Sequence, residues 1–242
     1  MAGMRIVALS DQHGFLPNIP PCDLLIVAGD ICPDRFGPFL AMHAPDHQAR
    51  WFDREVRPWL ARAPATHKIA TWGNHDWCGQ ACDFARDAPG MALTTDLQIL
   101  VDKATRVPVP REAAGGGQES VVVWATPWSN PFMNWAFMKR PSDLAAAYAA
   151  IPEGIDILVS HQPPLGYGDR HANYDSGKIE HLGSRELLAA IERIKPRLVV
   201  CGHIHDGFGR FEYKGIPIYN VTVVDEQYRR VHEPTLIDLP TG

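Results

Sequence analysis

The sequence has few cysteines, and their spacing lacks the C-x-x-C pairs of thiolate metal sites and redox motifs. The chain of 242 residues contains five, an odd number: Cys22, Cys32, Cys78, Cys82 and Cys201. In a chain of this length, that pattern is not typical of a disulfide framework. We therefore expect free thiols in a reducing compartment, with the cytoplasm as the predicted location.

Long apolar runs and blocks of like charge are also missing. No stretch approaches the ~18 consecutive apolar residues of a membrane-spanning helix, and residues 1–10 turn polar too soon for a signal peptide. The net charge is −5 without a basic block, which disfavours a surface for nucleic acid or anionic membrane. We expect no stable nucleic-acid complex and no membrane partner. A small anionic substrate stays open, because a bound metal can dominate the local field.

The composition that is present, with 45% hydrophobic and 21% charged residues, is that of an ordinary globular domain. The length fits one α/β domain that spans residues 1–242. Short, nearly continuous apolar runs are typical of strands covered on both faces. Such runs occur at residues 5–9, 24–28, 68–72, 121–125, 155–159, 198–201 and 216–221.

Helical spacing of apolar residues lies between several of these runs. It predicts helices at 49–61, 142–150 and 184–195, with a kink or break at Pro58 and with Ser142 and Ser184 as N-caps. Residues 105–120, which include three consecutive glycines, are predicted to form a loop. Strands that alternate with helices, followed by a hairpin from Phe208 onward, predict mixed sheets with outer helices.

Polar side chains that can bind metals follow five of the predicted strands, each time directly after a small residue. In chain order they are Asp11 and His13, Asp30, Asn74, His161, and His203 and His205. The carboxyl ends of strands form the ligand crevice of open α/β sheets, so these side chains should converge. The glycines before Asp30, Asn74 and His203 would let the backbone turn sharply or approach an ion closely.

This set of two carboxylates, four imidazoles and one amide oxygen is too large for one metal ion. It suits two ions that share a bridging carboxylate, and these ligand types favour Mn²⁺, Fe or Zn²⁺. Two ions ~3.5–4 Å apart can activate a bridging hydroxide and stabilise the attacking and leaving oxygens of an in-line displacement. With the two carboxylates and the hydroxide, such a site keeps a charge of about +1, which attracts a phosphate oxyanion. Each residue alone would more simply be a structural hydrogen-bonding group, so the prediction depends on their convergence.

The order D-x-H, G-D, G-N-H-D, S-H and G-H-x-H resembles the calcineurin-like metallophosphoesterase superfamily. Each motif is weak by itself, but all of them in this order are specific. Residues 127–137, 161–166, 202–209 and 234–240 are similar to segments of the small metallophosphoesterase-domain-containing proteins. That branch contains class III cyclic-nucleotide-type phosphodiesterases, and the resemblance extends over essentially the whole chain.

The resemblance implies a four-layer α/β/β/α sandwich of two mixed sheets, with a dinuclear metal site at the carboxyl ends of the strands. It divides six residues between two ions: Asp11, His13 and His205 for one, and Asn74, His161 and His203 for the other. It makes Asp30 the bridging ligand and places His75 beside the leaving group as a proton donor or charge stabiliser. The implied reaction is hydrolysis of small phosphodiesters, such as cyclic nucleotides, by a metal-bridging hydroxide, with Mn²⁺ favoured for activity in vitro. One departure is Gln162, where relatives often have glycine.

Several alternatives stay open. His75 could instead cap its loop, with Asp76 as its partner or as a turn residue. A phosphomonoesterase or nucleotidase is the rival enzyme, although a dianionic monoester favours extra positive charge and no arginine falls within a motif. A non-catalytic scaffold is the rival outside enzymes, although such a module should have lost ligands and this chain has kept them.

Two further regions have open roles. The aromatic residues of 124–137 could form a core or a pocket wall, or they could stack on a nucleobase. Residues 166–183, with His171, Asn173 and Tyr174, could line the pocket rim, form a solvated loop or contact a second copy of the chain. Arg170 and Lys178 in this segment could touch phosphate or simply be solvated.

Overall fold

The computed structural model describes residues 3–34, 45–81, 97–110, 120–173 and 176–240. The strands are β1 (Gly3–Leu9), β2 (Cys22–Ala28), β3 (Ala65–Thr71), β4 (Leu97–Ile99), β5 (Lys103–Pro108), β6 (Ser120–Thr126), β7 (Ile157–Ser160), β8 (Arg170–Ala172), β9 (Ile179–His181), β10 (Leu198–Cys201), β11 (Gly209–Tyr213), β12 (Ile216–Asn220) and β13 (Thr235–Pro240). The helices are α1 (Pro45–Trp51), α2 (Arg57–Arg62), α3 (Trp77–Ala81), α4 (Pro141–Ala149) and α5 (Arg185–Ile194).

The strands form two large sheets and one small hairpin. The first sheet has the order β13-β1-β2-β3-β4, the second has the order β11-β12-β10-β7-β6-β5, and β8 pairs with β9. Inner neighbours are parallel, whereas β13, β11 and β5 pair antiparallel at the edges. Both large sheets are therefore mixed, as predicted, and the carboxyl ends of their parallel strands lie along one edge of each sheet.

The two sheets pack face to face, with helices on both outer faces. Apolar side chains from both sheets share one core, in which Ile6 and Ile26 of the first sheet cluster with Val123, Val159 and Val200 of the second. A second core joins the outer face of the first sheet to α1, α2 and α3, and a third joins the second sheet to α4 and α5. Near-continuous apolar strands are explained by this burial on both faces. The predicted four-layer α/β/β/α sandwich is confirmed.

The helix breaks and N-caps predicted from local sequence signals are partly correct. A π-helical turn, Phe52–Val56, joins α1 to α2, and Pro58 lies in the first turn of α2, where its missing N–H costs little. Ser184 caps α5 and accepts a hydrogen bond from the backbone N–H of Leu187, as predicted. The prediction of Ser142 as an N-cap was wrong, because Arg140 holds that position and Pro141 begins α4.

The predicted loop at 105–120 was also partly wrong. Its first residues belong to β5, which pairs antiparallel with β6, and residues 111–119 lie outside the described part of the chain. The described cysteines, Cys22, Cys32, Cys78 and Cys201, are free and buried, and Cys82 lies outside the described residues. Within the described ranges, no helix is long and apolar enough to cross a membrane.

Candidate metal centre

All of the predicted ligands lie at the carboxyl ends of strands, along the edge where the two sheets meet. The first sheet contributes its ligands after β1, β2 and β3: Asp11 and His13, Asp30, and Asn74. The second sheet contributes its ligands after β7 and β10: His161, and His203 and His205. The parallel strands thus bring residues together that are distant along the chain.

Two glycines next to the ligands leave no room for a side chain. A Cβ atom at Gly73 would collide with the Asp30 carboxylate, and a Cβ atom at Gly202 would collide with the Asp11 carboxylate. Asp11 and Asp30 themselves have positive φ angles of 54° and 52°, an uncommon conformation for residues other than glycine. The chain therefore keeps a constrained backbone here, as often occurs at functional sites.

The ligand atoms form two neighbouring groups. Asp11, His13 and His205 make the first, with His205 Nε2 3.7 Å from Asp11 Oδ1. Asp30, His161 and His203 make the second. The Oδ1 atom of Asn74 lies 2.9 Å from His161 Nε2, so the amide oxygen belongs with the second group.

One oxygen of Asp30 lies between the two groups. Its Oδ2 atom is 3.9 Å from Nε2 of His13 and 3.3 Å from Nε2 of His161. The same carboxylate oxygen therefore faces one imidazole from each group. Asp30 thus lies between the two groups of candidate ligands.

The donor set fits divalent cations. Nε2 of His13 is buried and has no hydrogen-bond partner among the described residues, an arrangement that an ion at this nitrogen would relieve, whereas Nδ1 faces Oδ2 of Asp34 at 3.4 Å. Nδ1 of His161 lies 2.9 Å from the carbonyl oxygen of Ala28, and Nδ1 of His205 lies 3.1 Å from that of Asp225. Such contacts fix the imidazole tautomer and leave Nε2 for a metal.

The charges of the site also suit cations. Burial disfavours the charged form of Asp30, but the imidazoles of His161 and His75 outweigh it and hold the pKa of Asp30 well below its usual value. Burial likewise opposes a charge on His161, yet the Asp30 carboxylate raises the pKa of this imidazole to about 9. Burial lowers the pKa of His13 and of His203, which keeps both imidazoles neutral and able to bind a metal. A bound cation would replace the proton on His161.

A family model described as calcineurin-like phosphoesterase matches residues 4–207. The chain belongs to the calcineurin-like phosphoesterase family. This membership supports a hydrolase that acts on phosphoester bonds with the help of divalent metal ions.

Relatives of the calcineurin-like family cover nearly the whole chain. The human Metallophosphoesterase domain-containing protein 1 is 30% identical over 254 aligned residues, which cover 98% of this chain and 71% of that protein. The Caenorhabditis elegans UPF0046 protein T07D4.2 is 26% identical, over 98% of this chain and 60% of its own length. The structure of TT1561 from Thermus thermophilus matches the fold with a TM-score of 0.51 at 13% identity, covering 98% of this chain and 99% of that one. The resemblance stated from the motifs is thereby confirmed.

His75 lies beside the candidate metal ligands of this calcineurin-like site, and its partner is Asp34, which belongs to none of the sequence motifs. Nδ1 of His75 is 2.5 Å from Oδ1 of Asp34, and Oδ2 of Asp34 is 3.4 Å from Nδ1 of His13. Burial lowers the pKa of His75, but the charge of Asp30 and the hydrogen bond to Asp34 outweigh it, so that the pKa is raised. The only sequence signal for Asp34 was its place four residues after Asp30.

Asp76 organises the loops instead of pairing with His75. Its carboxylate accepts hydrogen bonds from the backbone N–H groups of Ile31, Cys32 and Gly73, at 2.8–3.0 Å for the shortest contact of each. Burial raises the pKa of Asp76 to about 6. The alternative in which Asp76 is the partner of His75 is therefore wrong, whereas its description as a turn residue is correct.

A cleft of about 790 Å³ opens over the ligands. Its lining includes His75 and the candidate ligands Asp30, Asn74, His203 and His205. Its walls come from three regions: Asn130, Pro131, Phe132 and Trp135; His171, Asn173 and Glu180 to Gly183; and Glu226 and Tyr228. Among the described residues that line the cleft there is no lysine or arginine.

In the two regions whose roles the sequence left open, some residues line the cleft and others do not. Trp124 and Phe137 are buried in the core, whereas Phe132 and Trp135 line the cleft. His171 and Asn173 also line the cleft, and Tyr174 lies outside the described residues. Arg170 and Lys178 are not among the lining residues. Gln162 occupies the position at which relatives often have glycine. Its side chain accepts a hydrogen bond from the backbone N–H of Asn130 and so supports the cleft wall.

Proposed function

We propose that this protein hydrolyses small phosphodiesters, with cyclic nucleotides as the leading substrate class, at a centre of two divalent transition-metal ions. The observation that carries the proposal is the position of Asp30 Oδ2 between His13 and His161, at 3.9 and 3.3 Å. The proposed ligands are Asp11, His13 and His205 for one ion, Asn74, His161 and His203 for the other, and Asp30 for both. Mn²⁺, Fe and Zn²⁺ all suit these ligands.

The chain's own residues would divide the chemistry between them. When bound, the two ions would supply the charge that activates water and stabilises the phosphoryl group. His75 would donate a proton to the oxygen that leaves as the P–O bond breaks. Asp34 would hold the His75 imidazole in place through Nδ1, so that Nε2 is left for the substrate.

The charge of the cleft favours a diester over a monoester. A diester carries one negative charge near neutral pH, whereas a monoester carries nearly two. The described lining includes the carboxylates of Glu180 and Glu226 but no lysine or arginine, so among these residues a second substrate charge would meet two carboxylates and no permanently cationic side chain. The aromatic side chains of Phe132 and Trp135 offer apolar contact for the organic group of a diester.

The experiment is a hydrolysis screen with Mn²⁺, Fe²⁺ and Zn²⁺ in turn. Bis(p-nitrophenyl) phosphate and p-nitrophenyl phosphate compare diester with monoester for one leaving group, and 2′,3′- and 3′,5′-cyclic AMP test cyclic diesters. We expect kcat/KM for the diester to exceed that for the monoester by about tenfold or more, a barrier difference of about 1.4 kcal/mol.

The possible results separate the rival functions. Faster hydrolysis of the monoester would refute the diester proposal and favour a phosphomonoesterase. Metal binding without hydrolysis of any ester would favour a non-catalytic scaffold. Asp30→Asn is the inactive reference, and Asp238→Asn is the matched control, because the Asp238 side chain is 82% exposed and lies on the edge strand β13.

A further inference from the structure

A tight turn at residues 225–229 places Tyr228 over the metal centre. The backbone N–H of Tyr228 donates to the carbonyl oxygen of Asp225 at 2.8 Å. The Asp225 carboxylate accepts hydrogen bonds from the backbone N–H groups of Gln227 and Arg229 at 3.0 and 2.9 Å. The same Asp225 carbonyl oxygen lies 3.1 Å from Nδ1 of His205. The same turn therefore carries Tyr228 and orients the candidate ligand His205.

The Tyr228 ring lies near three imidazoles of the site. Its centroid lies 4.6 Å from that of His13 and 5.4 Å from that of His205, both in edge-to-face geometry. It lies 6.1 Å from the centroid of His75, the proposed proton donor. The ring therefore lies next to two candidate ligands of one group, His13 and His205, and near His75.

The backbone of Tyr228 adopts a conformation that a bulky residue rarely takes. Its φ angle is +58°, and the hydrogen bonds to Asp225 hold the turn in this form. Non-glycine residues in this region cluster at ligand-binding and active sites. The side chain lines the cleft and stays 42% exposed, and its hydroxyl has no hydrogen-bond partner among the described residues. The turn thus holds a phenol in the cleft beside the candidate ligands His13 and His205, where a bound substrate could reach it.

We propose that Tyr228 is a substrate-binding residue whose phenolic O–H donates a hydrogen bond to the phosphate group. This inference rests on the proposed phosphoesterase function. It also explains a feature of the cleft, because the described lining holds no lysine or arginine to contact a phosphate oxygen. A neutral donor suits a substrate with a single negative charge.

The test removes only the hydroxyl, with Tyr228→Phe. Tyr213→Phe is the matched control, because the Tyr213 hydroxyl donates to the exposed Glu192 carboxylate from the strand β11, and Tyr213 does not line the cleft. We expect Tyr228→Phe to lower kcat/KM for bis(p-nitrophenyl) phosphate by ~10–100-fold, since it removes one hydrogen bond to a charged group. The melting temperature and the bound Mn²⁺ should equal those of the parent protein, and Tyr213→Phe should match the parent in every assay.

A binding measurement separates this inference from the proposed function. Titration of the Mn²⁺-loaded protein with inorganic phosphate should give a Kd that rises ~10-fold or more in Tyr228→Phe. Full activity and unchanged phosphate affinity in Tyr228→Phe would overturn the inference, and so would loss of bound metal together with activity, which indicates a structural role. If the parent protein hydrolyses no phosphate ester, the proposed function fails, and the phosphate titration still decides whether Tyr228 binds phosphate.

Discussion

The Nδ1 atom of His75 lies 2.5 Å from the Oδ1 atom of Asp34, although the two residues are 41 positions apart in the chain. The backbone N–H of His75 donates to Oδ1 of Asp30 at 2.7 Å, and its ring packs on Trp135 with centroids 4.0 Å apart. The backbone of His75 is therefore held by Asp30, and its imidazole is held by Asp34 at Nδ1 and by Trp135 against the ring. Because Asp34 occupies Nδ1, Nε2 is the nitrogen available to a substrate in the cleft.

The first prediction concerns His75→Ala. Loss of a general acid typically slows a reaction by ~10²–10⁴-fold, or about 3–5 kcal/mol, so turnover of a substrate with a ribose leaving group should fall by that order. Bound metal should stay near the parent value. The loss should be smaller for bis(p-nitrophenyl) phosphate, because nitrophenolate leaves without a proton.

Metal content and turnover on both substrates should be measured in one preparation. Loss of an ion along with activity would make His75 a ligand or a structural support. Equal losses on the two substrates would argue against proton donation and leave electrostatic stabilisation.

The second prediction concerns Asp34→Asn. Removal of the charge that orients His75 should lower turnover by ~10–100-fold, the usual effect of losing a supporting carboxylate at a histidine. Because Asp34 acts through His75, the double variant with His75→Ala should be little slower than His75→Ala alone. If the two losses of turnover multiply in the double variant, Asp34 acts independently of His75, for example through His13, whose Nδ1 lies 3.4 Å from the other Asp34 oxygen.

The third prediction concerns the stoichiometry of metal binding. Elemental analysis of Mn²⁺-reconstituted protein should approach two equivalents per chain, and Asp30→Asn should weaken both equivalents together because its oxygen lies between both ligand groups. Asp238→Asn should bind like the parent. A parent stoichiometry fixed at one under saturating Mn²⁺ would contradict the dinuclear centre. Full activity of Asp30→Asn at low metal would contradict its bridging role.

The fourth prediction concerns Gly202→Ala. The new Cβ would overlap the Asp11 carboxylate and the Ser10 hydroxyl, so the variant should lose about 1–3 kcal/mol of stability and bind metal more weakly. Gly154→Ala is the control, because nothing lies within 4 Å of its Cβ position and its φ of +76° adds only backbone strain. Chemical denaturation and metal analysis on both variants check this. Normal metal content in Gly202→Ala would show that the ligands tolerate the displacement.

Strand-end residues were the part of the site that could be predicted from sequence. Asp11, Asp30 and His161 each follow a nearly continuous apolar strand, and parallel neighbours bring such ends to one edge. Helix boundaries were less predictable from sequence. Ser142 has the chemistry of an N-cap, but Pro141 favours the first helical position, which makes Arg140 the N-cap. A local pattern is decisive only where no neighbouring residue competes for the same position.

The sequence by itself determined the donor types, their order and the family, because these depend on residue identity and on strands that place their ends together. Only the tertiary structure decided the partner of His75 and the position of Tyr228. Asp34 reaches His75 because the buried Asp76 carboxylate holds the N–H groups of Ile31 and Cys32 in the preceding loop. The turn at 225–229 is closed by local hydrogen bonds to Asp225, but only the fold brings its Tyr228 ring within 4.6 Å of the His13 ring. Contacts between chain-distant residues decide both positions, and no spacing in the sequence encodes such pairings.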